Sequence, residues 1–161
     1  MLFKYLAIFV ISMVPLVEIR GAMLFAAGWG LTTSVKTMAL AYLVCILGNM
    51  LPVPIIYWFA RKVLLWGKDK KYIGKFFTFC LEKGEKGGRK LTEKAGRGTF
   101  VALFLFVGIP LPGTGAWTGT LAASILDMDF KKAVLAVCLG VLLAGTIMML
   151  FGMGIFQGIL G

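Results

Sequence analysis

Histidine is absent from this chain, and its 161 residues include only seven acids. Without histidine the commonest general base and metal ligand is missing, so a Ser-His-Asp triad or a His/carboxylate metal centre is not expected. No metal and no cofactor is expected. Cysteine is scarce as well: Cys45, Cys80 and Cys138 stand without motif spacing and read as apolar packing residues. Scarcest of all is polar sequence. The chain is 60% hydrophobic with a mean hydropathy of +0.92, more apolar than a soluble domain of this size. The expected fold class is an all-α integral membrane protein, one domain over residues 1–161. It is not expected to be an enzyme, because no nucleophile and base can be assembled at one depth.

Charge is as uneven as polarity. Of the 17 basic residues, 12 fall between Arg61 and Arg97, the one long polar stretch. A net charge of +10 would suit nucleic acid, but basic loops are the ordinary cytoplasmic signature of membrane proteins. No nucleic-acid partner is expected. Ile73, Phe76, Phe77, Cys80 and Leu81 recur there at helical spacing, with Lys70, Lys71 and Lys75 on the other face. That pattern predicts an amphipathic helix lying on the membrane, with lipids as partners. Lys4 and the apolar run behind it have the look of a signal peptide. The cleavage region, however, would hold Glu18 and Arg20 and lacks a small-x-small site, so the segment is expected to stay.

Residues 66–97 form a connector between two similar halves, 1–65 and 98–161. Each half opens with an apolar stretch of about 30 residues broken near its centre, at Pro15 in the first and at Pro110 and Pro112 in the second. A straight span needs roughly 20 residues, so each stretch predicts a re-entrant helical hairpin rather than two crossings. A capped turn follows, from Thr32, Thr33 and Ser34 or from Asp127 and Asp129. A full span comes next, 37–60 ended by Arg61 and Lys62, or 133–155. Pro15 and Pro110, like Lys36 and Lys131, are 95 residues apart. Ala27/Ala122, Leu31/Leu126 and Leu40/Leu135 match at the same offset. One crossing between two re-entrant hairpins makes them enter from opposite faces, which is an inverted repeat. The connector, Lys131 and Lys132 then share one side, expected to be cytoplasmic.

Few residues could carry chemistry. Glu18 is the one acid at predicted membrane depth, where ionisable groups are usually functional, and it is the candidate for proton coupling. The bland alternative is an ion pair with Arg20 that closes the hairpin tip. Arg20, with a planar fork suited to phosphate or carboxylate, is the candidate anion ligand. Gly113, Thr114 and Gly115 with Trp117 and Thr118 form a flexible polar tip that could meet a substrate or could serve only close packing. Asn49, beside Gly48 and before Pro52 and Pro54, either satisfies carbonyls freed by the prolines or touches a ligand.

Three motifs resemble those of the small multidrug export membrane protein family: Glu18-Ile-Arg-Gly-Ala22, Gly48-Asn-Met-Leu-Pro-Val-Pro54 and Pro110-Leu-Pro-Gly-Thr-Gly-Ala-Trp-Thr-Gly119. The resemblance covers nearly the whole chain, with one departure at Leu24, where the family often has a second proline. It implies a distant kinship with the DedA membrane proteins and their two inverted re-entrant hairpins. It also implies transport across the plasma membrane of a prokaryote. By that resemblance Glu18 and Arg20 form the coupling and anion-binding pair. The leading expectation is a proton-linked transporter or flippase for a small amphipathic anion such as a lipid phosphate. The alternatives are a proton-coupled exporter of lipophilic cationic drugs and a non-transport protein that organises membrane lipid. Two full spans enclose a site poorly, so a homodimer or larger assembly is expected.

Overall fold

A computed structural model describes residues 1–15, 17–70, 74–75, 78, 98–111 and 113–160, and their regular structure is entirely helical. Most of the expected amphipathic connector helix, with Lys71, Phe76 and Phe77, lies outside these residues.

The first apolar stretch forms α1 (Leu2–Met13) and α2 (Glu18–Gly28), packed against each other and separated by the turn around Pro15. Proline has no N–H and clashes with the preceding turn, which ends α1 where the sequence expects a break. The stretch closes on Gly30, whose φ of +73° lets Leu31 N–H reach Ala26 O at 2.9 Å. Glycine adopts that left-handed position without cost.

The first span is longer than expected. Ser34 caps α3 (Val35–Met50) by accepting from Thr37 N–H at 3.3 Å. Leu51 keeps helical torsions, and α4 (Pro52–Lys68) continues the rod. Residues 35–68 therefore form one apolar helical stretch long enough to cross a membrane. The expected stop at Arg61 and Lys62 does not occur. No helix breaker follows them, and long basic side chains can extend their heads toward water while their stems stay apolar.

The second half runs through α5 (Gly98–Gly108), α6 (Ala116–Ile125) and α7 (Phe130–Leu160). Asp129 caps α7 by accepting from Lys132 N–H at 3.1 Å. The caps Ser34 and Asp129 keep the 95-residue offset. The second hairpin arms do not, because Ala116 lies 98 residues after Glu18. The second tip is the longer one, so the gapless pair Ala27/Ala122 holds different places in α2 and α6.

Each hairpin's first arm packs on the span that follows it, α1 on α3 and α5 on α7. Each second arm packs on the opposite half, α2 on α7 and α6 on α4. The contacts use small residues: Ala22, Ala26, Ala41, Ala116, Ala123, Ala136 and Ala144 are all buried. Outward, Leu43, Leu47, Ile55, Trp58, Phe59, Leu135 and Leu150 are exposed. A core of alanine and glycine under a coat of large apolar side chains is the pattern of helices packed in hydrocarbon.

Gly48 marks the closest approach of α1 and α3. A Cβ there would overlap the Ser12 hydroxyl and sit 2.5 Å from the Phe9 carbonyl oxygen. Gly48→Ala is expected to destabilise the protein by about 1–3 kcal/mol, read as a lower midpoint of thermal unfolding in detergent. An unchanged midpoint would show that these helices do not meet as described.

Candidate functional site

The two hairpin tips meet, and each supplies what the other's broken helices lack. A helix start leaves N–H groups without partners and a helix end leaves carbonyls. In hydrocarbon neither can turn to water.

Glu18, 4% exposed, opens α2 with a φ of +51°, an uncommon conformation for a residue with a side chain. Its carboxylate reaches the start of α6. Oε2 accepts from Ala116 N–H and Oε1 from Trp117 N–H, both at 3.0 Å. The negative group sits on the positive end of a helix, the best place for it in a dry interior. Gly115 makes room. A Cβ on Gly115 would fall on the Glu18 carboxylate, and its φ of +148° already favours glycine.

Arg20 treats the other side of the same break. Its guanidinium donates to Leu111 O at 2.6 Å, to Val107 O and Ile109 O at 3.2 Å each, and to Thr114 Oγ1 at 2.9 Å. Pro110 offers no N–H to the end of α5, so carbonyls there need an outside donor. A planar cation with several N–H groups suits that cluster. Glu18 and Arg20, two residues apart, do not face each other on a regular helix. Here they diverge, one to the start of α6 and one to the end of α5. Among the described residues no ion pair joins them, so the ion-pair alternative is not what closes the tip.

The debt is returned once. Trp117 Nε1–H donates to Met13 O at 3.0 Å, capping the end of α1. The indole serves as a donor across the tips. Thr114 Oγ1 also bonds Ile109 O and Leu111 O. Thr118 turns back to Gly115 O at 3.4 Å. Gly113, with a φ of +79°, is exposed at the tip and has open space around it. Asn49 is fully buried, yet neither amide atom has a partner, so it does not satisfy carbonyls freed by the prolines. Pro15 and Pro110 flank the breaks, while Pro112 lies outside the described residues. Lys70 sits 4.3 Å from the Trp66 ring centre and Lys75 is exposed, both away from the tips.

A model of the family described as "Putative small multi-drug export protein" matches residues 18–147. The chain belongs to that family. The match opens on Glu18 and includes Arg20, Gly48-Asn49 and residues 113–118. No curated protein and no solved structure matches. With its export-family membership and its apolar helices, the chain is a membrane protein.

Sequence reasoning singled out Glu18, Arg20, Thr114, Gly115 and Trp117 and did not see that they bond across the tips. It missed Ser12 and Thr120, which are buried and polar. Serine and threonine in an apolar helix give no sequence signal that separates packing from contact. Two glycines test the geometry. Gly113→Ala carries only backbone strain, about 1–2 kcal/mol. Gly115→Ala also expels the carboxylate and is expected to cost at least about 3 kcal/mol. In a Glu18→Ala background the excess of Gly115→Ala should vanish. Equal midpoint losses for the two glycine variants would disprove the carboxylate's seat.

Proposed function

We propose that this export-family protein is a proton-linked transporter or flippase for amphipathic anions, with lipid phosphates as the leading class. The observation that carries the reading is the Glu18 carboxylate on the Ala116 and Trp117 N–H groups. A helix start that holds a carboxylate is chemically a site for a phosphate oxygen. A proton on Glu18 removes the charge that holds it there. The freed N–H groups then take the anion of the substrate, and Arg20 exchanges carbonyl partners for the same headgroup. Loss of the anion lets Glu18 deprotonate and reseat, so proton and substrate use the helix start in turn.

In this reading the hairpins are re-entrant, enter from opposite faces as an inverted repeat, and rock against the spans. The exchange of second arms between halves supports it, as does the resemblance to DedA proteins. The connector is cytoplasmic, the membrane is the plasma membrane of a prokaryote, and a homodimer encloses the site.

The family description favours a second reading, multidrug export, which would here take the form of a lipophilic cation exchanged for a proton on Glu18. Arg20 opposes it by repelling a cation at the same tip. The membrane-organising alternative rests on Ile73, Phe76 and Phe77, outside the described residues.

Native mass spectrometry against polyprenyl phosphates, phospholipids and lipophilic cations separates these readings. Wild type is expected to retain phosphates selectively, and Arg20→Ala to weaken that binding roughly 10–100-fold, the worth of a charge-assisted contact. Cation binding that strengthens in Arg20→Ala would replace the anion reading with the drug-export one. Glu18→Gln keeps the size of the side chain but cannot cycle a proton, so uptake into liposomes should lose its pH dependence. A wild-type pH profile in that variant would remove Glu18 from coupling.

A further inference from the structure

The Gly48–Pro52 segment of the first span and the α6 helix beside it hold buried polar groups that the hairpin tips do not use. Asn49 and Thr120 are 0% and 1% exposed, and Asn49 Oδ1, Asn49 Nδ2 and Thr120 Oγ1 have no hydrogen-bond partner. Unpaired polar atoms at such depth are costly, and each calls for an explanation such as a bound ion or water.

The two residues share one face and one stretch of depth. Gly48 lies against Ser12, and Trp117 bonds the carbonyl of Met13, so residues 48–49 and 117 are level with the same turn of α1. Further along, Ser124 Oγ donates to Tyr57 O at 2.8 Å. Hence α4 and α6, which pack together, run in the same direction. On the rod, Asn49, Val53 and Tyr57 fall on one face at successive turns, and on α6 so do Thr120 and Ser124. Thr120 therefore stands level with the interval between Asn49 and Tyr57, on the helix that faces it.

Proline adds an acceptor. Pro52 has no N–H, so the carbonyl of Gly48, four residues earlier, loses its helical donor. That carbonyl points along the helix axis toward the same interval. Ser12 Oγ lies beside Gly48, and its proton is given to Phe9 O at 2.7 Å, so the oxygen can act only as an acceptor toward another group. The groups available are thus neutral oxygens: an amide, two hydroxyls and a backbone carbonyl. Hard monovalent cations take neutral oxygens of this kind, freed backbone carbonyls among them, within membrane helices. A divalent ion would ask for carboxylates, and no cluster of acidic, cysteine or histidine ligands occurs among the described residues. A multi-atom ligand does not suit a place where even a methyl group on Gly48 would collide.

We infer that the Gly48–Pro52 segment of the rod, where it faces Thr120, is a binding site for a small dehydrated monovalent cation, Na⁺ in class, held by Asn49 Oδ1, Thr120 Oγ1, Ser12 Oγ and the Gly48 carbonyl. The site is separate from the Glu18 seat and does not depend on the transport reading above.

The test is thermal unfolding of the full chain in nanodiscs, with sodium chloride titrated against choline chloride at constant ionic strength. The wild-type midpoint is expected to rise saturably, by roughly 3–5 °C at about ten times the Kd. Asn49→Ala and Thr120→Val are expected to lose that rise. Thr120→Val keeps the shape of the side chain and should equal or exceed the wild-type midpoint without sodium, because it removes an unpaired group. Equilibrium binding of radiosodium to wild type gives a readout that needs no variant. Equal response to sodium and choline, a sodium rise that persists in both variants, or no saturable radiosodium binding would overturn the inference and leave Asn49 to internal water.

Discussion

A helix broken inside hydrocarbon must find a donor for every freed carbonyl and an acceptor for every freed N–H, and water is not available to supply them. The rest of this structure follows from how that demand is met. Glu18 covers the start of α6, Arg20 covers the end of α5, and Trp117 covers the end of α1. Each charge meets the end of the helix dipole that attracts it. The groups that close the second break are therefore borrowed from the first hairpin. Gly115 has to be glycine so that the carboxylate can enter, and Glu18 has to turn left-handed so that it can be aimed.

In the proposed reading this arrangement binds stability and function to the same atoms. Removing one partner of a buried charged hydrogen bond leaves the other unsatisfied, and that penalty exceeds the net worth of the bond. A closed tip is accordingly stiff. In the proposed cycle it is also switchable, because one proton on the Glu18 carboxylate removes the charge seated on the start of α6. In that cycle, ligand groups that reproduce the missing acceptors and donors would stabilise an open tip in place of the protein's own groups. The packing around the tips allows such a change. Alanine and glycine at the contacts of α1 with α3 and α5 with α7 make smooth surfaces, with Gly48, Gly108 and Gly140 each against a neighbouring helix. Large side chains are kept for the lipid.

The helical elements were legible because their signals are local. Pro15 and Pro110 marked the breaks, Ser34 and Asp129 the caps, and apolar runs the spans. The end of the first span was misplaced, since Arg61 and Lys62 suggested an interface while nothing at those positions stops a helix from running on to Lys68. The 95-residue offset was visible as well, but the longer second tip, which moves α6 out of that register, was not. An insertion of a few polar and glycine residues in a tip leaves no mark on periodicity.

Composition and local chemistry by themselves determined that this chain is a helical membrane protein with two broken hairpins, and that Glu18, Arg20 and the Gly113–Trp117 loop are its unusual residues. The tertiary structure decided what those residues touch. Glu18 and Arg20, neighbours in sequence, serve opposite ends of a break 87–99 residues away, and Asn49, the expected donor for its own helix, is left unpaired. Such partnerships depend on which helix ends meet at one depth, and that is set by the packing of four arms and two spans, which no local pattern encodes.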